Sequence, residues 1–95
     1  MPWNNPLEYP FNMHDVKENA PSESGVYALC DGDKWIYLGE SDNLRHALLA
    51  HLDPSTKAYI DRASPSTFSY ELHPADQRAP RLKELIQELH PTLQR

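Results

Sequence analysis

The chain has 95 residues, with nine basic side chains against fourteen acidic ones and a net charge of −5 at neutral pH. That length accommodates one thin hydrophobic core and excludes a second, and the acidity opposes non-specific attraction to a phosphate backbone. A single cysteine, Cys30, excludes an intrachain disulfide, and without a cysteine–histidine cluster at ligand spacing no structural zinc is expected.

Residues 1–21 hold four of the nine prolines together with Trp3, Tyr9 and Phe11, and read as an extended arm with a short helical turn allowed around Asn12 to Lys17. Proline-rich chain cannot form its own core, so the arm is expected to lay its aromatics over the domain formed by residues 22–95. A secretory signal would need a basic patch followed by a continuous apolar run, which this N-terminus lacks. Nothing elsewhere approaches a membrane span, so a soluble cytoplasmic protein is expected.

Gly25 to Cys30 reads as a strand, Asp31-Gly32-Asp33 as a tight turn, and Lys34 to Gly39 as a second strand, making an antiparallel hairpin. Both strands are nearly continuous in apolar residues, which predicts cover on both faces. Beyond Ser41, a candidate N-cap, the period changes. Leu44, Ala47, Leu48, His51 and Leu52 follow helical spacing, and Asp53-Pro54 stops the run. Ser55 to Ala63 reads as a shorter helix, Thr67 to Leu72 as a third strand, and a last helix is predicted from Pro80 with Leu82, Leu85, Ile86 and Leu89 on one face. The fold class is α/β (α+β): a three-stranded antiparallel sheet flanked by helices.

Element order alone names no function. More specific are Gly25-Val26-Tyr27 and, ten positions after Tyr27, Tyr37-Leu38-Gly39, followed by Asn43-Leu44-Arg45 and His51. Together they resemble the GIY-YIG nucleases, whose two tripeptides lie on the first two strands and precede a helix of similar pattern. The resemblance spans about residues 11–95, with Leu85-Ile86 and Pro91 matching the family's closing helix. It implies that Tyr27 and Tyr37 line an active site, with His51 on the following helix. It also implies an arginine on that helix and a metal-holding glutamate on the closing one, because phosphodiester cleavage builds charge that wants a fixed cation and a metal.

Those last two residues are replaced. The position ten after Tyr37 is Ala47, and the position three before Leu85 is Leu82. Arg45 and Glu84 each lie two residues away, about 200° round their helices, and cannot simply stand in. Gln94 stands where the family often has a polar residue after its proline. The expectation is therefore a GIY-YIG-like domain that has lost nuclease activity and serves as a binding or accessory module. The alternative is a divalent-metal-dependent endonuclease with an altered site recruiting Glu40, Glu84 or Arg45. No cofactor is expected in the first case, and Mg²⁺ or Mn²⁺ in the second.

The plainer readings stand beside these. Tyr27 and Tyr37 can be core aromatics, and His51 a hydrogen-bonded packing residue. Cys30 reads as a small buried hydrophobe and Trp35 as a surface or interface aromatic. The partner is either a protein, met by the aromatics of the arm, or nucleic acid. Nucleic acid would use Arg45, Lys57, Arg62, Arg78 and Arg81 if they share a face.

Overall fold

The computed structural model describes residues 8–31, 34–52 and 65–91. Strand β1 (Tyr9–Pro10) is followed by helix α1 (Met13–Asn19), strands β2 (Gly25–Asp31) and β3 (Lys34–Ser41), and helix α2 (Leu44–Leu52). Strand β4 (Thr67–Leu72) and helix α3 (Ala75–Leu89) complete the order. The expected helix over Ser55 to Ala63, the turn at Gly32-Asp33, and Lys57, Arg62 and Gln94 lie outside the described residues.

The sheet has four strands in the order β1-β4-β2-β3, each pair antiparallel. The sequence predicted three. The fourth is the arm's Tyr9–Pro10, paired to Phe68 and Thr67. Two residues are too short to show alternation, and proline, which donates no hydrogen bond, is tolerated on a sheet edge. The rings of Tyr9 and Phe11 pack on Phe68, with centroids 5.3 and 6.4 Å away.

Every residue of β2 from Gly25 to Cys30 is buried, as a central strand covered on both faces requires. Alternation divides its side chains. Tyr27 and Leu29 join Phe68, Val16, Ala20, Leu44 and Leu48 under α1 and α2. Val26, Ala28 and Cys30 join Leu38 and Leu85 under α3. Burial pushes the Cys30 thiol up to about 12, with the Glu8 carboxylate adding to the shift, so this cysteine packs as a neutral hydrophobe. A register shift between Leu29 and Cys30 takes the β3 partner from Tyr37 to Trp35 and leaves Ile36 as the extra residue of a bulge. At Gly25 the β4 backbone leaves no room for a side chain, since a Cβ there would lie 2.1 Å from the Glu71 carbonyl oxygen.

Helix boundaries correct two expectations. Asn43, rather than Ser41, caps α2: its Oδ1 accepts from the His46 N–H at 3.0 Å, while Ser41 Oγ accepts from Asn43 N–H at 3.0 Å. Helix α3 starts at Ala75, so Pro80 lies inside it and Pro74 flanks its start. Ala75-Asp76-Gln77-Arg78-Ala79 suits a helix, and at this depth Pro80 forfeits one hydrogen bond in a segment otherwise able to form. The helix ends at His90, whose φ of 49° is left-handed and whose N–H reaches the Ile86 carbonyl at 3.1 Å. No helix among the described residues is long and apolar enough to cross a membrane.

Candidate functional site

Tyr27 and Tyr37 come from adjacent central strands and His51 from the last turn of α2, and the fold brings the three together. Tyr27 pairs with Gly39 across β2 and β3, and a Cβ on Gly39 would lie 2.5 Å from Tyr27 Cζ and Oη. The glycine therefore lets the phenol lie flat over the neighbouring strand. Its hydroxyl meets His51 Nε2 at 2.7 Å. The Tyr37 ring packs edge-on to His51 with centroids 5.3 Å apart, and Tyr27 lies 6.3 Å from Tyr37.

Burial lowers the His51 pKa below its ordinary value and so favours the neutral imidazole. A neutral ring can accept the Tyr27 proton at Nε2 while keeping its own hydrogen on Nδ1. Tyr27 is 4% exposed. The arrangement is thus a nearly buried phenol held by a desolvated, uncharged histidine, with a second, half-buried phenol beside it.

Ala47 precedes His51 by four residues and shares its side of α2, packing at the fringe of the cluster that holds Tyr27 and Tyr37. Leu82 lies elsewhere. It packs with Val26, Ala28, Leu38 and Leu85, across the sheet from the tyrosines.

The three arginines singled out from the sequence are not brought together. Arg45 points to α1, its Nε donating to the Ala20 carbonyl at 2.9 Å and its backbone N–H to Pro21 at 3.1 Å. Arg78 and Arg81 lie on α3. Arg78 Nε is 3.6 Å from Glu40 Oε1. Arg81 grips Glu71 with two parallel bonds, Nε to Oε1 at 2.8 Å and Nη2 to Oε2 at 2.9 Å, and also reaches Glu84. The Glu71 hydrogen bond, its largest influence, raises the guanidinium pKa despite partial burial. His73 Nε2 shares the Glu71 Oε1 atom at 2.8 Å.

Glu71 is the residue that sequence reading missed. It is 4% exposed. The available signal was a carboxylate on the inward-alternating positions of β4, on the Ser69 side and ten residues before Arg81. A concavity at the corner between β4 and α3 is lined by Glu23, Ser24, Leu72, His73 and Pro74.

No family model matches the chain. Over 51 residues it is 37% identical to the UvrABC system protein C of Aquifex aeolicus (strain VF5), a match covering 54% of this chain and 9% of that protein. The chain thus spans a small fraction of that relative's length. Among solved structures, the GIY-YIG N-terminal endonuclease domain of UvrC from Thermotoga maritima, bound to magnesium as its catalytic divalent cation, aligns with a TM-score of 0.72. The identity is 20%, and the alignment covers 84% of this chain and 96% of that one. An asparagine-to-alanine variant of the same domain aligns with a TM-score of 0.69 at 21% identity, covering 81% and 91%. The strand order, the hairpin carrying both tyrosines and the helices on either face make this chain a domain of the GIY-YIG fold.

Proposed function

We propose that this GIY-YIG-fold domain does not cleave phosphodiesters and serves as a binding or accessory module. The observation that carries the reading is the composition around Tyr27. Its hydroxyl is held by a desolvated, neutral His51, and the turn of α2 preceding His51 presents the methyl group of Ala47.

Cleavage of a phosphodiester accumulates negative charge on oxygens that a fixed cation and a metal normally stabilise. Among the described residues none supplies a carboxylate to a divalent cation at the tyrosines, and no cluster of metal ligands forms. Leu82 offers no oxygen and packs across the sheet, and both carboxylate oxygens of Glu71 are engaged by Arg81. Loss of one charge-stabilising donor commonly costs about two to three orders of magnitude in rate, and loss of the metal ligand compounds it.

The groups that an altered endonuclease site would recruit are also engaged. Arg45 bonds to Ala20, Glu40 lies within 3.6 Å of Arg78, and Glu84 meets Arg81. The salt-sensitive DNA interface that Arg78 and Arg81 would supply is weakened for the same reason, since their charge is directed at Glu40 and Glu71.

The test is a plasmid-nicking assay in Mg²⁺ and in Mn²⁺ with the protein and its Tyr27→Phe variant. The two are expected to be equal at background. Cleavage by the parent that Tyr27→Phe abolishes would establish the metal-dependent endonuclease instead.

A further inference from the structure

The aromatic face that begins at Tyr27 continues across the sheet. Tyr70 is the partner of Tyr27 on β4, and Tyr9 on β1 stacks on Tyr70 with centroids 6.1 Å apart and ring planes 15° from parallel. Both rings are half-buried. Two residues along β4 on the same face comes Leu72, which is 51% exposed. Leu72 forms one wall of the concavity at the β4–α3 corner, with Glu23 and Pro74 as others.

This corner is rigidly built. Ser24 Oγ donates to the His73 carbonyl at 2.6 Å, and the His73 N–H donates to the Ser24 carbonyl at 3.1 Å, closing the floor with two bonds. Glu23 is exposed at its edge. Glu40, Glu71 and Glu84 each face an arginine, whereas Glu23 makes no ion pair among the described residues. The cation on α2, Arg45, is turned to the Ala20 carbonyl. The Glu23 carboxylate contributes, after burial and the Tyr9 hydroxyl, to holding the Tyr70 phenol above its ordinary pKa, so its field reaches the stacked rings.

Two stacked phenols, an exposed alkyl group and a carboxylate with no ion pair among the described residues match, in sequence, one kind of side chain, a cation on an apolar stem. The stem covers Leu72 and Pro74, the charge meets Glu23, and a guanidinium or ammonium is also attracted to a tyrosine face. A phosphate backbone would be repelled by the same carboxylate. The net charge of −5 draws basic partners in general. We propose that the strip from Tyr9 and Tyr70 over Leu72 to Glu23 docks a basic segment of a partner protein, with one arginine or lysine side chain seated at the β4–α3 corner. This rests on the reading of the domain as a binding module and specifies its partner. Its test reads peptide binding, so its failure is separate from any result on cleavage.

The full chain would be titrated with a fluorescent peptide of alternating arginine and leucine, an equal-length peptide of alternating glutamate and leucine, and a single-stranded oligonucleotide. The arginine peptide is expected to saturate, with amide shifts at Glu23, Leu72 and His73, and the other two to show no binding. Glu23→Gln and Leu72→Ser alter exposed side chains, so both variants should melt like the parent. Each is expected to weaken the arginine peptide about fivefold, while Glu88→Gln on the exposed side of α3 leaves it unchanged. Absence of arginine-peptide binding, or binding indifferent to both substitutions, overturns the proposal. Oligonucleotide binding lost in those same variants would overturn it too, by giving the surface to nucleic acid.

Discussion

Beneath α2, Tyr27 and His51 meet as two neutral groups at 2.7 Å, whereas beneath α3, Glu71 and Arg81 meet as full charges in a two-point clasp at 2.8 and 2.9 Å. Both pairs join a helix to the same sheet. The neutral pair lies against the Tyr37 ring, which contacts both members without providing counter-charge. The charged pair lies where α3 has little apolar surface of its own: no residue from Ala75 to Arg81 is buried, and Leu85 is the helix's buried anchor. The two faces thus hold their helices by different means, an uncharged phenol–imidazole bond on one and a carboxylate–guanidinium clasp on the other.

That contrast can be tested first on the charged side. Glu71→Gln takes from the partly buried Arg81 its two-point carboxylate partner and leaves the exposed Glu84, and it is expected to destabilise the domain by about 3 kcal/mol. Denaturant unfolding measures the loss, and amide exchange should rise first in the opening turns of α3. A loss below about 1 kcal/mol would mean that apolar packing alone seats this helix.

On the neutral side the effect is smaller. Tyr27→Phe removes one hydrogen bond and keeps the ring over Gly39, for an expected loss of about 1 kcal/mol. A pH dependence accompanies it. The folded-state pKa of His51 lies below its ordinary 6.5, so as pH falls the unfolded chain takes up that proton first. The His51 contribution is fully present above 6.5 and is lost as pH falls from there toward the folded value. Unfolding free energies at pH 7.5 and 5.5 should therefore differ more in the parent than in His51→Gln. Equal slopes would show that His51 titrates as a solvated group does.

Much of this was legible before any coordinates. The hairpin, the α2 stripe and the third long strand follow from hydrophobic period, and the tripeptide spacing correctly brought Tyr27, Tyr37 and His51 into one neighbourhood. Strand β1 was not legible because two residues carry no period. The start of α3 was misread because Pro80 looked like a first-turn proline when Pro74 was the flanking one. The pairing of the arginines was not legible for a different reason. Arg78 and Arg81 were named for a basic face on the condition that they share it with the other cations; their partners Glu40 and Glu71 lie on strands, and sequence distance does not disclose a pairing made across a sheet. Leu82 stands where the resemblance implies a metal-holding glutamate, and alternation in β2 puts its neighbours on the face opposite the tyrosines.

The proposed loss of cleavage requires that no divalent cation bind at the tyrosines, where the described residues offer no cluster of metal ligands, and Mn²⁺ reports on that directly because a bound ion broadens the resonances of nearby nuclei. With the full chain at neutral pH and substoichiometric Mn²⁺, the ring signals of Tyr27, Tyr37 and His51 are predicted to keep their linewidths. Selective broadening of those three rings, reversed by excess Mg²⁺, would contradict it.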